Sequence, residues 1–136
     1  MRIIFVRHGH PNYVDDCLTP LGRLHAAAAA QRLKDEGIQK IYSSTCGRAM
    51  ETAQHTADLL GLTVTGMDGF RELNWDPTDG QPLLLNGHPW DTADWMVAHG
   101  ESLLDPDWAT KPPFDRNIVV GSVQKVWDTA DAVSYT

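Results

Sequence analysis

Apolar and polar positions follow one another with a regular period through the first half of the chain. Residues 3–6 are four successive apolar side chains, a pattern typical of a strand buried on both faces of a parallel sheet. Residues 38–43 and 62–65 predict two more short strands. Two stretches with helical spacing separate these strands, so the predicted order is strand, helix, strand, helix, strand.

Both helical stretches have start and stop signals. In the first, Thr19 is the N-cap residue, Pro20 takes the first helical position, and Gly37 ends the helix. We expect its core-facing stripe to be Leu21, Leu24, Ala28 and Leu33. The second helix is predicted over residues 47–60, and Gly61 is a favourable C-terminal cap. Its apolar face carries Ala49, Ala53, Ala57 and Leu60.

This alternation predicts the α/β class, with a doubly wound and mostly parallel sheet inside a three-layer αβα sandwich. A chain of 136 residues corresponds to a single domain, here residues 1–136.

The pattern loosens in the second half of the chain. Residues 70–82 predict a loop, residues 91–99 predict a short helix, and a last helix is expected to start near Asp115. The apolar stripe of that helix is Val119, Val123, Val126, Ala130 and Val133. We expect a lid or a small separate core to form from Trp90, Trp95 and Trp108. No apolar strand follows the last helix, so we expect a sheet that is incomplete on its C-terminal side, as in a C-terminally truncated domain.

Composition narrows the class of partner. The chain has 11 basic and 18 acidic residues and a formal net charge of −7, which argues against binding to nucleic acids or to anionic membranes. Arg7 and His8 interrupt the N-terminal apolar run too early for a signal peptide or a membrane span. The two cysteines are too few for a disulfide framework. We therefore expect a cytoplasmic protein that holds any anionic ligand with a small local group of cations.

Chemistry-bearing residues follow the ends of two predicted strands. Arg7-His8-Gly9-His10 comes directly after the first strand, and Ser43-Ser44 ends the second, followed by Arg48 in the first turn of the next helix. In open α/β sheets, ligands bind outside the carboxyl ends of the strands. Two guanidinium groups and a helix N-terminus at one place predict a phosphate site. A histidine at its centre can form a phosphohistidine if one ring nitrogen is free to attack.

Four segments of the chain occur in a characteristic order and spacing. They are Arg7-His8-Gly9, Leu18-Thr19-Pro20-Leu21-Gly22, Ser43-Ser44 with Arg48-Ala49-Met50-Glu51-Thr52-Ala53, and Phe70-Arg71-Glu72-Leu73. Together they resemble the histidine phosphatase superfamily, the phosphoglycerate-mutase-like phosphatases and mutases. The resemblance implies a two-step phosphoryl transfer in which His8 attacks phosphorus while Arg7 and Arg48 hold the equatorial oxygens. It also implies that Glu72 protonates the leaving oxygen and later deprotonates the attacking water. It implies no metal and no organic cofactor.

Three features depart from the pattern of this family. The family carries a second catalytic histidine after an apolar strand and before two glycines. Val97-Ala98-His99-Gly100 is similar, but a helical pattern precedes it and Glu101 replaces the second glycine. We therefore expect the histidine-bearing strand to be missing from this sequence and keep His99 as the alternative. The other two departures are His10-Pro11 after Arg-His-Gly, and Asp76 where a glycine often follows the acidic motif. Both concern the leaving-group pocket rather than the phosphate site.

Ordinary structural roles are the alternatives to catalysis for these residues. His8 is alternatively a structural histidine at a strand end, and Glu72 a solvated loop carboxylate. For Arg48 the alternative is a surface ion pair with Glu51 or Glu72. His8 and His10 also form a His-x-His pair, but no further ligand cluster at metal-binding spacing supports a metal site.

Three functions are compatible with these residues. The preferred hypothesis is a phosphatase of small phosphorylated metabolites. A phosphoglycerate-mutase-type phosphomutase is the alternative enzyme, but it needs cations for a substrate carboxylate, and the basic residues after Arg71 are only Lys111, Arg116 and Lys125. A catalytically impaired phosphate-binding remnant is the alternative that is not an enzyme, since the second histidine is missing. An unpaired sheet edge would also favour pairing of two copies as a homodimer.

Overall fold

The computed structural model describes residues 2–72, 89–111 and 118–134, with the backbone alone at residues 89–92, 109 and 118–122. The helices of these residues are α1 (Pro20–Leu33), α2 (Gly47–Leu60), α3 (Pro89–Ala98) and α4 (Ile118–Ser134). The strands are β1 (Pro11–Asn12), β2 (Cys17–Leu18), β3 (Ile41–Ser44) and β4 (Val64–Met67). Short 3₁₀ helices lie at Asp68–Phe70 and Trp108–Thr110. The chain forms two compact units, Met1–Arg71 and Glu72–Thr136.

The first unit contains the parallel pairing that the sequence predicts. β3 and β4 lie side by side in parallel, from Ile41 opposite Val64 to Ser44 opposite Met67. α2 connects the two strands and packs against both of them. It ends at Gly61, whose φ of 67° is left-handed as a C-terminal glycine cap requires. This strand–helix–strand arrangement confirms the α/β class, although each strand begins a few residues later than predicted.

α1 has the predicted start but buries a different face. The hydroxyl oxygen of Thr19 accepts a hydrogen bond from the Gly22 amide at 3.1 Å, which confirms the N-cap. The predicted stripe is wrong, because Leu21 is 50% exposed and Leu24 is 69% exposed. The buried residues of α1 are instead Gly22, Ala26 and Ala30. They recur every four residues, and a Cβ on Gly22 would collide with the carbonyl oxygen of His10, so residue size rather than apolarity decides this face.

The N-terminal apolar run is not a buried strand. Residues 3–6 have no strand pairing in the described part of the chain, and Phe5 is 93% exposed. The prediction of a strand buried on both faces is therefore wrong for this structure. Four successive apolar side chains indicate that a segment can be buried. Burial also needs a neighbouring strand to pair with and a layer that covers the sheet, and no described residues supply these here.

A short hairpin follows His8 and precedes α1. β1 and β2 pair in an antiparallel manner, with Pro11 opposite Leu18 and Asn12 opposite Cys17. The four residues 13–16 form the turn between them. The side-chain oxygen of Asn12 accepts from the Val14 amide at 3.0 Å, and this bond shapes the turn. Leu18 is 1% exposed, so the hairpin is anchored in the core of the first unit at its second strand.

The second unit has its own small core. Met96 of α3 is fully buried and packs against Trp95, Trp108 and Val123. The predicted helix over residues 91–99 is therefore confirmed as α3, and two of the three tryptophans belong to a separate core as expected. The described part of the predicted stripe of α4 is half-buried at Val123, Val126, Ala130 and Val133.

Some sequence predictions lie outside the described residues. These are Asp76, Asp115, most of the loop predicted over residues 70–82, and the side chains of Trp90 and Val119. Within the described ranges, no helix is long and apolar enough to span a membrane.

Candidate active site

His8 has one ring nitrogen that is hydrogen-bonded and one without a hydrogen-bond partner among the described residues. The ring is half-buried, and Nδ1 lies 2.8 Å from the carbonyl oxygen of Gly9. A carbonyl oxygen can only accept, so Nδ1 must carry the hydrogen. In the neutral ring the lone pair is then on Nε2, which has no hydrogen-bond partner among the described residues. His8 therefore has the tautomer that a nucleophilic histidine needs.

The backbone next to His8 is hydrogen-bonded to α2 and lies directly against α1. The Gly9 amide donates to Oγ1 of Thr52 at 3.1 Å, and this hydroxyl donates in turn to the carbonyl oxygen of Arg48 at 2.7 Å. Thr52 is 7% exposed, so these bonds are shielded from water. A Cβ on Gly9 would collide with the carbonyl oxygen of Gly22 in α1. Glycine is thus needed where the His8 segment passes between α1 and α2.

Arg48 lies in the first turn of α2 and is held there by a carboxylate. Its side chain is 12% exposed, and Nη1 donates to Oδ1 of Asp16 at 2.7 Å. Oδ2 of Asp16 accepts from the amide of Gly47, the first residue of α2, at 2.7 Å. The Gly47 amide and the Arg48 guanidinium together lower the pKa of Asp16 below its usual value of 3.8. The carboxylate is therefore charged at neutral pH and offsets the charge of Arg48.

Tyr13 connects the imidazole of His8 with the guanidinium of Arg48. Cζ of Arg48 lies 5.2 Å from the centroid of the Tyr13 ring, within the usual range of a cation–π contact. The His8 ring meets the same aromatic ring edge-on, with centroids 6.5 Å apart and an interplanar angle of 89°. Since one ring contacts both groups, the structure brings these two predicted site residues into one neighbourhood.

Arg7 differs from Arg48 in its surroundings. Its side chain is exposed and has no hydrogen bond or ion pair with any described residue. Because Asp16 offsets the charge of Arg48, the guanidinium of Arg7 is the cation beside His8 whose charge no described carboxylate offsets. Arg48 is therefore held in place by a carboxylate, whereas Arg7 is exposed and has no partner among the described residues.

Glu72 and His99, the other two predicted site residues, belong to the second unit. Glu72 is exposed. His99 directly follows α3, with Nδ1 2.8 Å from the carbonyl oxygen of Trp95 and its ring stacked on Trp95 at a centroid distance of 3.9 Å. Gly100, with φ of 86°, follows His99 where α3 ends. His99 thus follows a helix rather than a strand, and catalytic roles for both residues stay predictions.

The structure also describes the surroundings of the other histidine in the motif. Nδ1 of His10 lies 3.0 Å from Oγ1 of Thr19, the N-cap residue of α1. In the described ranges, no group of three His, Cys, Asp or Glu side chains is placed to hold a metal ion.

Sequence reasoning missed the side chains that hold His8 and Arg48 in place. These are Tyr13, Asp16 and Thr52. Asp16 reaches Arg48 across 32 residues, and Thr52 reaches Gly9 across 43 residues, so no local pattern reveals either contact. Helical spacing does place Thr52 on the same face as Arg48, but many helices carry such a threonine, and its partner is visible only in three dimensions.

Comparison with protein families defines the class of this protein. Residues 3–105 match the family described as histidine phosphatase superfamily (branch 1). The match spans most of the chain, and the chain therefore belongs to the histidine phosphatase superfamily. The four motifs quoted from the sequence thus indicate the correct family.

Individual relatives agree with this class. Proteins named "Probable phosphoglycerate mutase GpmB" from Yersinia pestis (strain Pestoides F) and Yersinia pseudotuberculosis serotype O:1b (strain IP 31758) are 34% identical over 92 residues. The alignment covers 61% of this chain and 43% of each relative, so the chain spans less than half of their length.

Two solved structures are similar to the chain. The mycobacterial hydrolase 1 has a TM-score of 0.58 and 25% identity, and the match covers 95% of this chain and 62% of that one. A mycobacterial glucosyl-3-phosphoglycerate phosphatase has a TM-score of 0.44 and 22% identity, and the match covers 80% of this chain and 67% of that one. The first of these matches supports the α/β fold over nearly the whole chain.

Proposed function

We propose that this protein hydrolyses phosphomonoesters of small metabolites through a phosphohistidine on Nε2 of His8. The observation that carries the proposal is the 2.8 Å contact between Nδ1 of His8 and the carbonyl oxygen of Gly9. It holds the ring in the tautomer whose lone pair lies on the opposite nitrogen. Membership of the histidine phosphatase superfamily supports the same role for this residue.

The first step would form a bond between Nε2 and phosphorus as the bond to the leaving oxygen breaks. Arg48 holds equatorial oxygens from a fixed position, while the exposed guanidinium of Arg7 moves onto the phosphate. Glu72 supplies the proton that the leaving oxygen takes up. In the second step, water attacks phosphorus, its proton passes to Glu72, and the phosphorus–nitrogen bond breaks. Free phosphate and an alcohol are the products.

The test is hydrolysis of a generic aryl phosphate by the purified chain and by His8→Ala. We expect His8→Ala to lose activity about a thousandfold or more, as the removal of a nucleophile does. His25→Ala is the matched control, because His25 is exposed on α1 and has no interaction with any described residue. Acid quenching is unsuitable for trapping because phosphoramidates hydrolyse in acid, so the phosphorylated protein is analysed at alkaline pH by mass spectrometry. Equal turnover by His8→Ala and the parent protein would disprove the mechanism.

A phosphomutase is the second candidate, because the curated relatives carry the name of one. Such an enzyme returns the phosphoryl group to its substrate and needs a cation for the substrate carboxylate. Lys111 is poorly suited to that task, since its ammonium group already binds Glu101 at 2.6 Å and Asp105 at 2.9 Å. This favours hydrolysis. A coupled assay with phosphoglycerate decides, because isomerisation without release of phosphate would reverse the ranking.

A phosphate-binding protein with little turnover is the third candidate. It follows from His99, which succeeds a helix rather than the strand after which the family carries its second histidine. Calorimetric titration with inorganic phosphate separates this candidate from an enzyme. Binding in the micromolar range, without hydrolysis of any aryl phosphate, would support a phosphate-binding protein. Turnover that His8→Ala abolishes excludes it.

A further inference from the structure

The turn of the β1–β2 hairpin contacts the predicted phosphate site at both of its ends. Tyr13, its first residue, covers the guanidinium of Arg48 at 5.2 Å, and Asp16, its last residue, binds the edge of that group at 2.7 Å. The turn is internally braced, since Nδ2 of Asn12 donates to Oδ2 of Asp15 at 2.7 Å. A single short segment therefore holds the most buried cation of the site from two directions.

Asp16 is bound to α2 through both its backbone and its side chain. A Cβ on Gly47 would collide with the carbonyl oxygen of Asp16, so the backbone of the turn lies directly on the first residue of α2. The two carboxylate oxygens bind the Gly47 amide and the Arg48 guanidinium separately, each at 2.7 Å. Asp16 also has a positive φ of 46°, a conformation that side chains other than glycine rarely adopt and that recurs at functional sites.

We propose that Asp16 is a positioning residue, which orients Arg48 so that its remaining N–H groups meet the equatorial oxygens of the transferring phosphoryl group. The inference rests on the proposed function and deepens it. A guanidinium is a planar fork, and a carboxylate bound to one of its nitrogens fixes the plane and the direction of the others. Tyr13 limits movement of the same plane from its face.

The ion pair between Asp16 and Arg48 weakens the attraction of the site for the phosphate group of a bound substrate, and it favours the transition state of phosphoryl transfer. The negative charge of Asp16 opposes the approach of a phosphate dianion, so Asp16 adds nothing to simple anion binding. Its benefit is realised when three equatorial oxygens spread in one plane and need donors in fixed directions. Arg7, exposed and without a described partner, supplies the attraction that Arg48 has lost.

The experiment compares two anions on the parent protein and on Asp16→Asn. Inorganic phosphate resembles the ground state, and orthovanadate resembles the five-coordinate transition state. We expect Asp16→Asn to weaken orthovanadate binding about tenfold or more, as small misplacements at a catalytic site do, and to change phosphate affinity less than about threefold. Calorimetry measures both affinities without turnover, well below the melting temperature of each variant.

Asp15→Asn is the matched control. Asp15 precedes Asp16 in the same turn and carries the same charge, but its carboxylate binds Asn12 rather than α2. We expect it to leave both affinities unchanged. A shared effect of the two variants would mean that net charge rather than orientation is responsible, and it would overturn the proposal.

A second measurement does not depend on anion binding. In ¹⁵N spectra of the arginine side chains, a guanidinium held by a carboxylate shows slow rotation about its Cζ–Nη bonds. We expect separate Nη signals for Arg48 in the parent protein and in Asp15→Asn, and faster exchange between these signals in Asp16→Asn. Unchanged Arg48 signals in Asp16→Asn would refute the positioning role.

The outcomes separate the two proposals. If the parent protein has no turnover but Asp16→Asn shows the selective loss for orthovanadate, the proposed hydrolysis fails and the positioning role stands. If the parent protein turns over and Asp16→Asn binds both anions more tightly, Asp16 is a competitor for the site and the positioning role fails. Equal weakening of both anions would also overturn it, because the effect would then concern anion binding in general.

Discussion

Replacement of Thr52 by valine tests how the nucleophile segment is fastened to the fold. The hydroxyl of Thr52 accepts from the Gly9 amide at 3.1 Å and donates to the carbonyl oxygen of Arg48 at 2.7 Å. Valine keeps the shape but removes the acceptor, so the buried amide next to His8 loses its partner. An unsatisfied buried donor costs about 1–3 kcal/mol. We therefore expect Thr52→Val to lower the free energy of unfolding by about 2 kcal/mol.

Two further variants isolate the hydrogen bond from the rest of the substitution. Thr56→Val makes the same change one turn later on α2, at a residue that is also 7% exposed and has no side-chain hydrogen bond to a described residue. We expect its stability to stay within about 0.5 kcal/mol of the parent. Thr52→Ser keeps the hydroxyl, loses one methyl group, and should cost about 1 kcal/mol or less.

Urea unfolding followed by far-ultraviolet circular dichroism measures the lost free energy of unfolding. At the usual dependence of this free energy on urea concentration, the loss lowers the midpoint of unfolding by about 1 M urea. Hydrogen exchange of the Gly9 amide gives a local measurement, because this amide should exchange faster in Thr52→Val and at the parent rate in Thr52→Ser. If Thr52→Val and Thr56→Val have equal stabilities and equal exchange at Gly9, the bond does not fasten the segment and the reasoning is refuted.

Three other substitutions have definite expected outcomes. Glu51→Gln should destabilise the protein at neutral pH, because the charged carboxylate of Glu51 accepts from the Leu18 amide at 2.6 Å. This hydrogen bond lowers the pKa of Glu51 below its usual value of 4.5, so the stability difference from the parent protein should disappear as the pH falls through that lowered pKa. Urea titrations between pH 7 and pH 3 measure this difference. A difference that persists in acid would contradict this assignment. Gly22→Ala should cost about 1–3 kcal/mol, since a Cβ there would collide with the carbonyl oxygen of His10. Thermal unfolding, with Ala26→Gly as a size control, checks this. Met96→Ala should lower the stability of the second unit by about 2–5 kcal/mol. Tryptophan fluorescence follows the unfolding of this unit, because all five tryptophans lie after Arg71 in the sequence. An unchanged unfolding midpoint would contradict the assigned core.

Local signals in the sequence were sufficient for the helices and for the family. Thr19 and Pro20 start α1, and Gly61 ends α2, because caps and helix ends depend on the chemistry of a few neighbouring residues. The order of strands and helices also predicted the parallel pair β3 and β4. The family could be predicted because the residue types around His8 and Arg48 recur in a spaced motif, which a linear chain carries as well as a folded one.

Tertiary structure alone decided which faces are buried and what holds the site. Leu24 is exposed while Ala26 is buried, because α1 turns its face of small residues, Gly22, Ala26 and Ala30, toward the interior. Phe5 is exposed because burial depends on a neighbouring layer rather than on the apolar run itself. The carboxylate of Asp16 reaches Arg48 through a hairpin turn whose course follows from pairing across the chain. Contacts between distant segments depend on packing geometry, and no local pattern of residues encodes that geometry.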